Sequence, residues 1–377
     1  MITCIKNGYC FADGVFRKAD LYLEGRSILQ LGGFLPHGRE WDAEGCLVLP
    51  GFVDIHLHGG GGFDFARGTE EAVEAAIQTH LMHGTTTAFP TVVSTDFEVL
   101  EKAVCAVERV WKRNPVIGGI HLEGPYLSPK QTGAQNSSAL RRPDPREYKE
   151  FLEKHSIARW DYAPELDEDF AFLEALKSHG VVPAAAHTDA TCAEMERAAD
   201  RGCRLITHLY SCTSTVRREQ GFRVAGVLEA AYLRDDICAE LIADGCHLPK
   251  ELLRLAFKCK KSGSLALVTD AMEAAGLETE GEFDIGGVRC IVEDGVAKLP
   301  DRSAFAGSVA TSDRLIRTCV RAGIPAEDAI RSATEVPARL MGLSRKGRLA
   351  AGMDADVVVM TRDFEVKNVI SFGEVVR

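Results

Sequence analysis

The sequence predicts an α/β fold, a TIM-like (β/α)8 barrel joined to a small β-sandwich domain that both chain ends build. Two observations support this prediction. Eight apolar runs of strand length alternate with helical patterns through the middle of the chain, which is typical of βα units around a parallel sheet. Both ends contain only short strand-like segments separated by turns. The 377 residues suffice for a barrel of about 250 residues and a smaller domain.

The β-sandwich domain is expected to contain residues 1–48 and 346–377. Turn dipeptides such as Asn7-Gly8 separate its short strands. Each end alone has too few strands to be stable in water, so we expect the two ends to combine. The strands are predicted at residues 4–5, 20–23, 27–31, 46–49, 355–361, 366–370 and 374–377.

The barrel is expected to occupy residues 49–345. Its strands are almost continuously apolar, as strands covered on both faces are. We predict them at residues 49–56, 85–89, 116–122, 157–163, 181–187, 205–209, 237–243 and 265–269. Helical patterns lie at residues 70–82, 97–113, 190–201, 250–259, 312–322 and 326–341. A β-hairpin insertion is predicted at about residues 278–300.

Charge and cysteine usage narrow the class of protein. The formal net charge of −11 argues against nucleic-acid or anionic-membrane partners, whose phosphates need clustered Lys and Arg. The twelve cysteines form no CxxC pair and no disulfide-scaffold spacing, and no signal-peptide pattern opens the chain. No apolar run approaches the roughly 20 residues that span a bilayer. We therefore expect a cytoplasmic protein.

Histidines and carboxylates collect where the predicted barrel strands end. Strand one ends with His56 and His58, which point to the same side because they are two residues apart, and four glycines follow them. Active sites of barrel enzymes lie at this face. Strands three, five, six, seven and eight also end with metal-capable side chains, namely Glu123, His187, His208, Asp244 with His247, and Asp270.

Each of these placements alone has an ordinary structural explanation, such as a hydrogen-bonded histidine or a carboxylate that caps a helix. Their coincidence favours a metal site. His121 shares the side of Glu123 but lies one layer deeper in the barrel. The remaining histidines have no such placement and are expected to be surface or packing residues, namely His37, His80, His83, His155 and His179.

Imidazole and carboxylate ligands suit zinc or a similar divalent ion, which acidifies water and polarises a carbonyl. A general base must still take the proton of the attacking water and later protonate the leaving group. Asp270, at the end of the last strand, is the residue that we expect in this role. The sequence thus predicts a metal-dependent hydrolase. A non-catalytic scaffold protein on the same fold would be expected to have lost some of these side chains.

These motifs resemble those of the N-acetylglucosamine-6-phosphate deacetylase family of the amidohydrolase superfamily. The resemblance covers essentially the whole chain, including the split β-domain. The matching segments occur in family order at residues 50–59, 121–125, 186–188, 207–210, 242–247, 268–271 and 306–308. Strand four has no lysine, so the carboxylated-lysine bridge of other relatives is not expected.

The resemblance implies a ligand set and a reaction. Glu123, His187 and His208 would hold one metal ion, and His56 and His58 would allow a second ion that the glutamate bridges. Asp270 would act as base and then as acid, and also belongs to the expected metal-ligand set. The ion would be zinc, with iron, manganese or cobalt also open. The reaction would remove acetate from an N-acetylhexosamine 6-phosphate in amino-sugar catabolism.

The substrate-binding residues depart from the family pattern. Gln135 stands where the family usually has a histidine, and Ser211 and Cys212 replace residues that normally position the sugar. The resemblance assigns a sugar-phosphate contact to His247. It also implies a homodimer in which an arginine of the neighbouring subunit binds phosphate, here one of Arg217, Arg218 and Arg223, with Arg218 chosen.

The departures leave alternative substrates open. These are N-acetylgalactosamine 6-phosphate, an unphosphorylated amino sugar and an N-acyl amino acid or cyclic amide.

Overall fold

The computed structural model describes all 377 residues. Eight strands form a parallel sheet in which each strand pairs with the next along the chain. An isolated bridge between Leu57 and Ala271 joins the last strand to the first. The predicted barrel is confirmed, with strands one to eight at Phe52–Leu57, Thr85–Val93, His121–Glu123, Arg159–Tyr162, Val182–Ala185, Leu205–Ile206, Cys238–Leu241 and Leu265–Leu267.

Ten α-helices accompany the strands. They span Glu70–Met82, Phe97–Trp111, Pro145–Lys154, Ala171–Ser178, Cys192–Asp200, Val227–Leu233, Lys250–Cys259, Ser312–Arg321, Ala326–Ser332 and Glu335–Leu340. Apolar faces of the helices and outer faces of the strands form a single large cluster of 67 buried residues. This packing holds the carboxyl ends of the strands at one face of the barrel.

The single helix predicted at residues 326–341 is wrong, because the chain breaks into two helices there. Thr334 has non-helical backbone angles, with φ −134° and ψ −81°. The carbonyl of Ala333 accepts a hydrogen bond from the backbone N–H of Val53 in the first barrel strand. The break therefore lets this segment accept a hydrogen bond from the first barrel strand between its two helices.

Strands from both chain ends form one eight-stranded sheet, which confirms the split second domain. The sheet has its own cluster of 14 buried residues. Strand Arg39–Asp42 was not predicted. Asn7-Gly8 is not a turn between strands but a bulge inside the first strand, where Asn7 adopts φ 60°. The strands are Ile2–Ala12, Val15–Glu24, Ser27–Leu31, Arg39–Asp42, Leu47–Pro50, Val357–Met360, Val366–Ser371 and Glu374–Val375.

The predicted hairpin insertion is a three-stranded antiparallel sheet, Gly281–Ile285, Val288–Glu293 and Val296–Lys298. Its apolar residues pack with Met272 and Ala306, which follow the eighth strand. The insertion therefore lies against the carboxyl face of the barrel. None of the helices combines the length and apolar character needed to cross a bilayer.

Candidate metal and substrate site

Six side chains from five barrel strand ends converge at the carboxyl face, and all six are buried. We call them the six-residue cluster, which comprises His56, His58, Glu123, His187, His208 and Asp270. The sequence predicted every member. Pairing of parallel strands in register brings these ends together, since each residue sits at the end of its own strand.

Glu123 is the centre of the cluster. Its Oε1 lies 3.0 Å from Nε2 of His187 and 2.9 Å from Nε2 of His208. Its Oε2 lies 3.4 Å from Nε2 of His58, and Oε1 lies 3.7 Å from Nε2 of His56. One carboxylate therefore faces two histidine pairs, and each pair forms with it a compact set of possible metal ligands.

Asp270 lies next to His56 and His58, which we call the first pair. Its Oδ1 lies 3.0 Å from Nε2 of His58 and 3.5 Å from Nε2 of His56. Asp54, one layer below, accepts hydrogen bonds from the hydroxyl of Thr269 and from the backbone N–H of His56. This contact links the first and eighth strands and so fixes Asp270 relative to the histidines.

Unusual backbone conformations concentrate in the cluster. His187, His208 and Asp270 have φ values of 42°, 29° and 48°. Residues other than glycine adopt such angles at a cost of about 1–3 kcal/mol each. The surrounding barrel must therefore hold these three side chains in place against local strain.

The donor set fits a divalent metal. Zinc binds histidine nitrogen and carboxylate oxygen at about 2.0–2.2 Å in tetrahedral sites, which separates neighbouring ligand atoms by roughly 3.4 Å. The Nε2 atoms of His56 and His58 are 3.2 Å apart, and their distances to Glu123 and Asp270 fall in the same range. Lone pairs from several groups thus point into the same small spaces, where a cation would stabilise them.

The electrostatics of Glu123 agree with this interpretation. Burial alone would raise its pKa, but the charge of His56 and hydrogen bonds from His187 and His208 hold that pKa well below its usual value. Burial likewise opposes ionisation of Asp270, yet contacts with His58 and His56 lower the Asp270 pKa. Both carboxyl groups are therefore anionic at neutral pH.

The two histidine pairs differ in what holds their outward Nδ1 atoms. His187 Nδ1–H donates to the carbonyl of Gln131 at 2.8 Å, and His208 Nδ1–H donates to the carbonyl of Ser211 at 3.1 Å. His56 Nδ1 instead lies 3.3 Å from the carboxylate of Glu240, and His58 Nδ1 has no partner. Of the pair formed by His56 and His58, His56 therefore depends on the charged side chain of Glu240.

A buried polar network under the cluster was not predicted. Arg159, Asp161 and Glu240 are fully buried inside the barrel, on strands four and seven. His121 joins this network, with Nε2 2.9 Å from Asp161 and Nδ1 2.9 Å from Thr91 Oγ1, and lies outside the metal-capable groups. The signal was present, because charged residues interrupt two otherwise apolar strands.

A cavity of about 200 Å³ opens above the cluster. Four residues predicted to bind substrate line it, and we call them, with Phe305, the rim. Phe305 and Ile285 were not predicted, because only the fold of the insertion brings them near the strand ends. The rim residues are Gln135, Ser211, Cys212, His247 and Phe305.

Gln135 is committed to the protein rather than free in the cavity. Its Nε2 donates to Oε2 of Glu123 at 2.8 Å, and its Oε1 accepts from the backbone N–H of Ser94 at 2.9 Å. Both ends of the amide are therefore used. The side chain fixes the orientation of Glu123 and borders the cavity with its remaining surface.

His247 and Cys212 each have a close neighbour at the rim. His247 Nδ1 lies 2.9 Å from Asp244 Oδ2, and its ring packs edge-on against Phe305 with centroids 4.9 Å apart. A Cβ atom on Gly133 would come within 2.5 Å of Cys212 Sγ, so the loop bearing Gln135 approaches Cys212 closely.

Arg218 lies outside the cavity, on an exposed hairpin with strands Arg217–Glu219 and Phe222–Val224 that we call the arginine hairpin. Arg218 and Arg223 face each other across the two strands, and neither has a carboxylate partner. Arg217 is paired with Glu219 and Asp189. No lysine or arginine of the same chain lines the cavity.

The five histidines expected to be surface or packing residues lie outside the cavity. His80 is buried, and its Nε2 lies 2.8 Å from the carbonyl of Gly59, immediately after His58. His155, with Cys105 and Glu108, forms a further metal-capable group on the outside of the barrel. His155 also contacts Glu101 and packs on Phe151, which is an ordinary packing environment.

Known proteins resemble this chain over nearly its full length. The amidohydrolase family model matches residues 47–376. N-acetylglucosamine-6-phosphate deacetylase of Bacillus subtilis is 32% identical, with 90% of this chain and 87% of that protein covered. The rat protein of that name is 31% identical, with 96% and 92% covered.

A solved structure extends the comparison to the fold. N-acetyl-D-glucosamine-6-phosphate deacetylase of Mycobacterium smegmatis, a mutant in complex with N-acetyl-D-glucosamine-6-phosphate, superposes with a TM-score of 0.91 at 32% identity. The match covers 100% of this chain and 99% of that one. The chain therefore belongs to the amidohydrolase family and, within it, to the N-acetylglucosamine-6-phosphate deacetylases.

Proposed function

We propose that this protein hydrolyses the acetamide of N-acetylglucosamine 6-phosphate and releases acetate and the amino-sugar phosphate. The observation that carries the proposal is the six-residue cluster, in which one buried carboxylate faces two histidine pairs at the base of an open cavity. Membership of the deacetylase family supports the substrate. Because these relatives are deacetylases, a linear amide is the bond that we propose this site cleaves.

The residues proposed to hold the metal follow from the donor set. Glu123, His187 and His208 would bind one ion, and His56 and His58 would bind a second ion that shares Glu123. Zinc is the ion that we propose first, because imidazole and carboxylate ligands suit it. Iron, manganese and cobalt are the alternatives, since the same ligands accept these ions. When bound, the metal polarises the amide carbonyl and acidifies water.

Asp270 is the proposed general base and acid. Its lowered pKa makes it anionic at neutral pH, so its carboxylate can accept a proton from the attacking water. The protonated carboxyl group can then donate that proton to the nitrogen of the amino sugar as the C–N bond breaks. Gln135 assists by holding Glu123 through a hydrogen bond.

The phosphate needs a cation that the cavity itself lacks. We propose that the protein is a homodimer and that the arginine hairpin of one subunit supplies Arg218 or Arg223 to the cavity of the other. The unpaired guanidinium groups support this assignment, because arginine binds phosphate through two parallel hydrogen bonds. Phe222, 78% exposed between them in the chain, is an apolar contact for a neighbouring subunit.

His247 is the proposed contact of this chain with the sugar phosphate. Ser211 and Cys212, which also line the cavity, would face the sugar ring. We also propose a cytoplasmic location, which the twelve free cysteines support, because thiols persist in a reducing compartment.

The direct test is acetate release from purified protein supplied with zinc. A panel would contain N-acetylglucosamine 6-phosphate, N-acetylgalactosamine 6-phosphate and the two unphosphorylated sugars. We expect the first substrate to have the highest kcat/KM and the unphosphorylated sugars the lowest. A preference for unphosphorylated sugars or N-acyl amino acids would contradict the proposed substrate, and inactivity on the whole panel would contradict the proposed reaction.

A further inference from the structure

All the N–H donors of the Arg159 side chain have hydrogen-bond acceptors inside the barrel. Its Nε and Nη2 donate to the two oxygens of Asp161, at 2.8 and 3.1 Å, and Nη2 also donates to Thr207 Oγ1 at 2.7 Å. Its Nη1 donates to the carbonyl of Ile55 at 3.3 Å and to Oε1 of Glu240. A guanidinium has five N–H donors, and here every one has a partner. Arg159 therefore holds Glu240 in a fixed position.

Glu240 connects this fixed cation to the six-residue cluster. Its Oε2 lies 3.3 Å from Nδ1 of His56 and accepts a hydrogen bond from the backbone N–H of His208, also at 3.3 Å. A carboxylate can only accept hydrogen bonds, so its neighbour His56 must carry a proton on Nδ1. In the neutral tautomer with that proton, Nε2 of His56 is free to bind a metal and faces Glu123 and Asp270.

The network also places negative charge below His56. Arg159 contributes one positive charge, whereas Asp161 and Glu240 contribute two negative charges, and all three groups are fully buried. His58, the other member of this pair, has no partner on Nδ1 and gains no such support. The Nδ1 atoms of His187 and His208 donate instead to backbone carbonyls, and Glu240 meets this pair only at the backbone N–H of His208.

We propose that Glu240, held by Arg159, is a positioning residue for the second metal ion. It fixes the tautomer and ring orientation of His56 and so selects occupancy at the pair formed by His56 and His58. This inference rests on the two-ion site of the proposed function. Partners behind metal-ligating histidines commonly change metal affinity by about 10–100-fold. The occupancy of the two sites is therefore separately controlled.

Glu240→Gln is the informative variant because it keeps the shape of the side chain. If the amide oxygen faces Arg159, the amide NH2 faces His56 Nδ1 and favours the tautomer protonated on Nε2, which cannot bind a metal. If the amide is turned the other way, its NH2 opposes the N–H donors of Arg159. Neither orientation reproduces the contacts of Glu240.

The experiment is a zinc titration of chelator-treated protein, followed by calorimetry and by elemental analysis of ions per subunit. We expect the wild type to bind two ions in steps. In Glu240→Gln the second step should weaken about 10–100-fold while the first weakens less, because Glu240 meets a side-chain nitrogen of His56 but only the backbone N–H of His208. Asp313→Asn is the matched control, since Asp313 is another buried carboxylate paired with an arginine, Arg317, and it contacts no cluster residue.

A second measurement does not depend on the variant folding. Nitrogen NMR of histidine-labelled, metal-free wild-type protein should find His56 protonated on Nδ1. An unprotonated Nδ1 on His56, unchanged affinity for the second ion in Glu240→Gln, or binding of only one ion by the wild type would each overturn the proposal. The titration contains no substrate, so failure of the deacetylase reaction with intact two-step binding would count against the proposed function alone.

Discussion

The base of the cavity and its rim are built in different ways. All six cluster residues are buried, and a network of hydrogen bonds and ion pairs holds them from below. The rim combines Gln135, the neighbours Ser211 and Cys212, His247 and Phe305 from four separate loops, and no lysine or arginine of the same chain lines the cavity. This difference supports our proposal that one subunit supplies the chemistry, whereas a second subunit supplies the cation that recognises phosphate.

The largest expected effect concerns the six-residue cluster at the base of the cavity. Asp270→Asn keeps the shape of the side chain but removes its ability to take a proton, so turnover should fall by about 10²–10⁴-fold. Circular dichroism should show unchanged folding, and elemental analysis should show at least one ion retained at Glu123, His187 and His208. Turnover equal to that of the wild type would remove Asp270 from the proposed acid–base role.

The pH dependence of stability tests the contact between buried His80 and the carbonyl of Gly59, which supports the base of the cavity beside His58. Burial lowers the pKa of His80 from 6.5 to about 4. Between these values the unfolded chain binds more protons than the folded one, so this contribution to stability is present above pH 6.5 and is lost as pH falls toward 4. The free energy of unfolding should decrease by up to about 3 kcal/mol over that interval.

His80→Gln supplies the control for this prediction, because a glutamine amide can still donate to the Gly59 carbonyl but does not titrate. Denaturant unfolding at several pH values should give a flatter profile for the variant than for the wild type. Parallel profiles for the two proteins would show that His80 does not titrate as the structure indicates.

The rim is tested by substitutions on the arginine hairpin. At least one of the variants Arg218→Ala and Arg223→Ala should raise KM for the phosphorylated substrate by about 10–100-fold, the scale of a lost hydrogen bond to a charged group. Steady-state kinetics with the unphosphorylated sugar should be unchanged, because no phosphate is present. An equal loss on both substrates would contradict the assignment, and a monomer in light scattering would contradict the shared site.

The smallest effect is expected where base and rim meet. Gln135→Ala removes the hydrogen bond to Glu123 but leaves all six cluster residues in place. We expect kcat to fall about tenfold with little change in KM, since one hydrogen bond to a charged group is lost. A rise in KM at constant kcat would instead assign Gln135 to substrate binding alone.

The sequence predicted the base of the cavity better than its rim. The barrel strands and the six-residue cluster were predictable, because apolar runs mark strands and strand ends of a parallel barrel meet at one face. The role of Gln135 toward Glu123 was not predictable, since a loop conformation decides which groups its amide meets. The same holds for Phe305, which the insertion brings to the rim.

The Arg159 and Glu240 contact shows a further limit. Each residue interrupts an apolar strand and so could be noticed, but their pairing depends on which side chains point into the barrel and at what height. The division of residues 326–341 into two helices likewise depends on a backbone hydrogen bond between Val53 and Ala333. Long-range contacts of this kind leave little trace in local patterns.

The central claim is that a metal held by the six-residue cluster makes this protein a deacetylase. The most direct measurement adds zinc stepwise to chelator-treated protein while acetate release from N-acetylglucosamine 6-phosphate is followed. The metal-free protein should be inactive, and activity should rise with the number of ions bound per subunit. Full activity without metal, or no acetate release from a metal-loaded and folded protein, would contradict the claim.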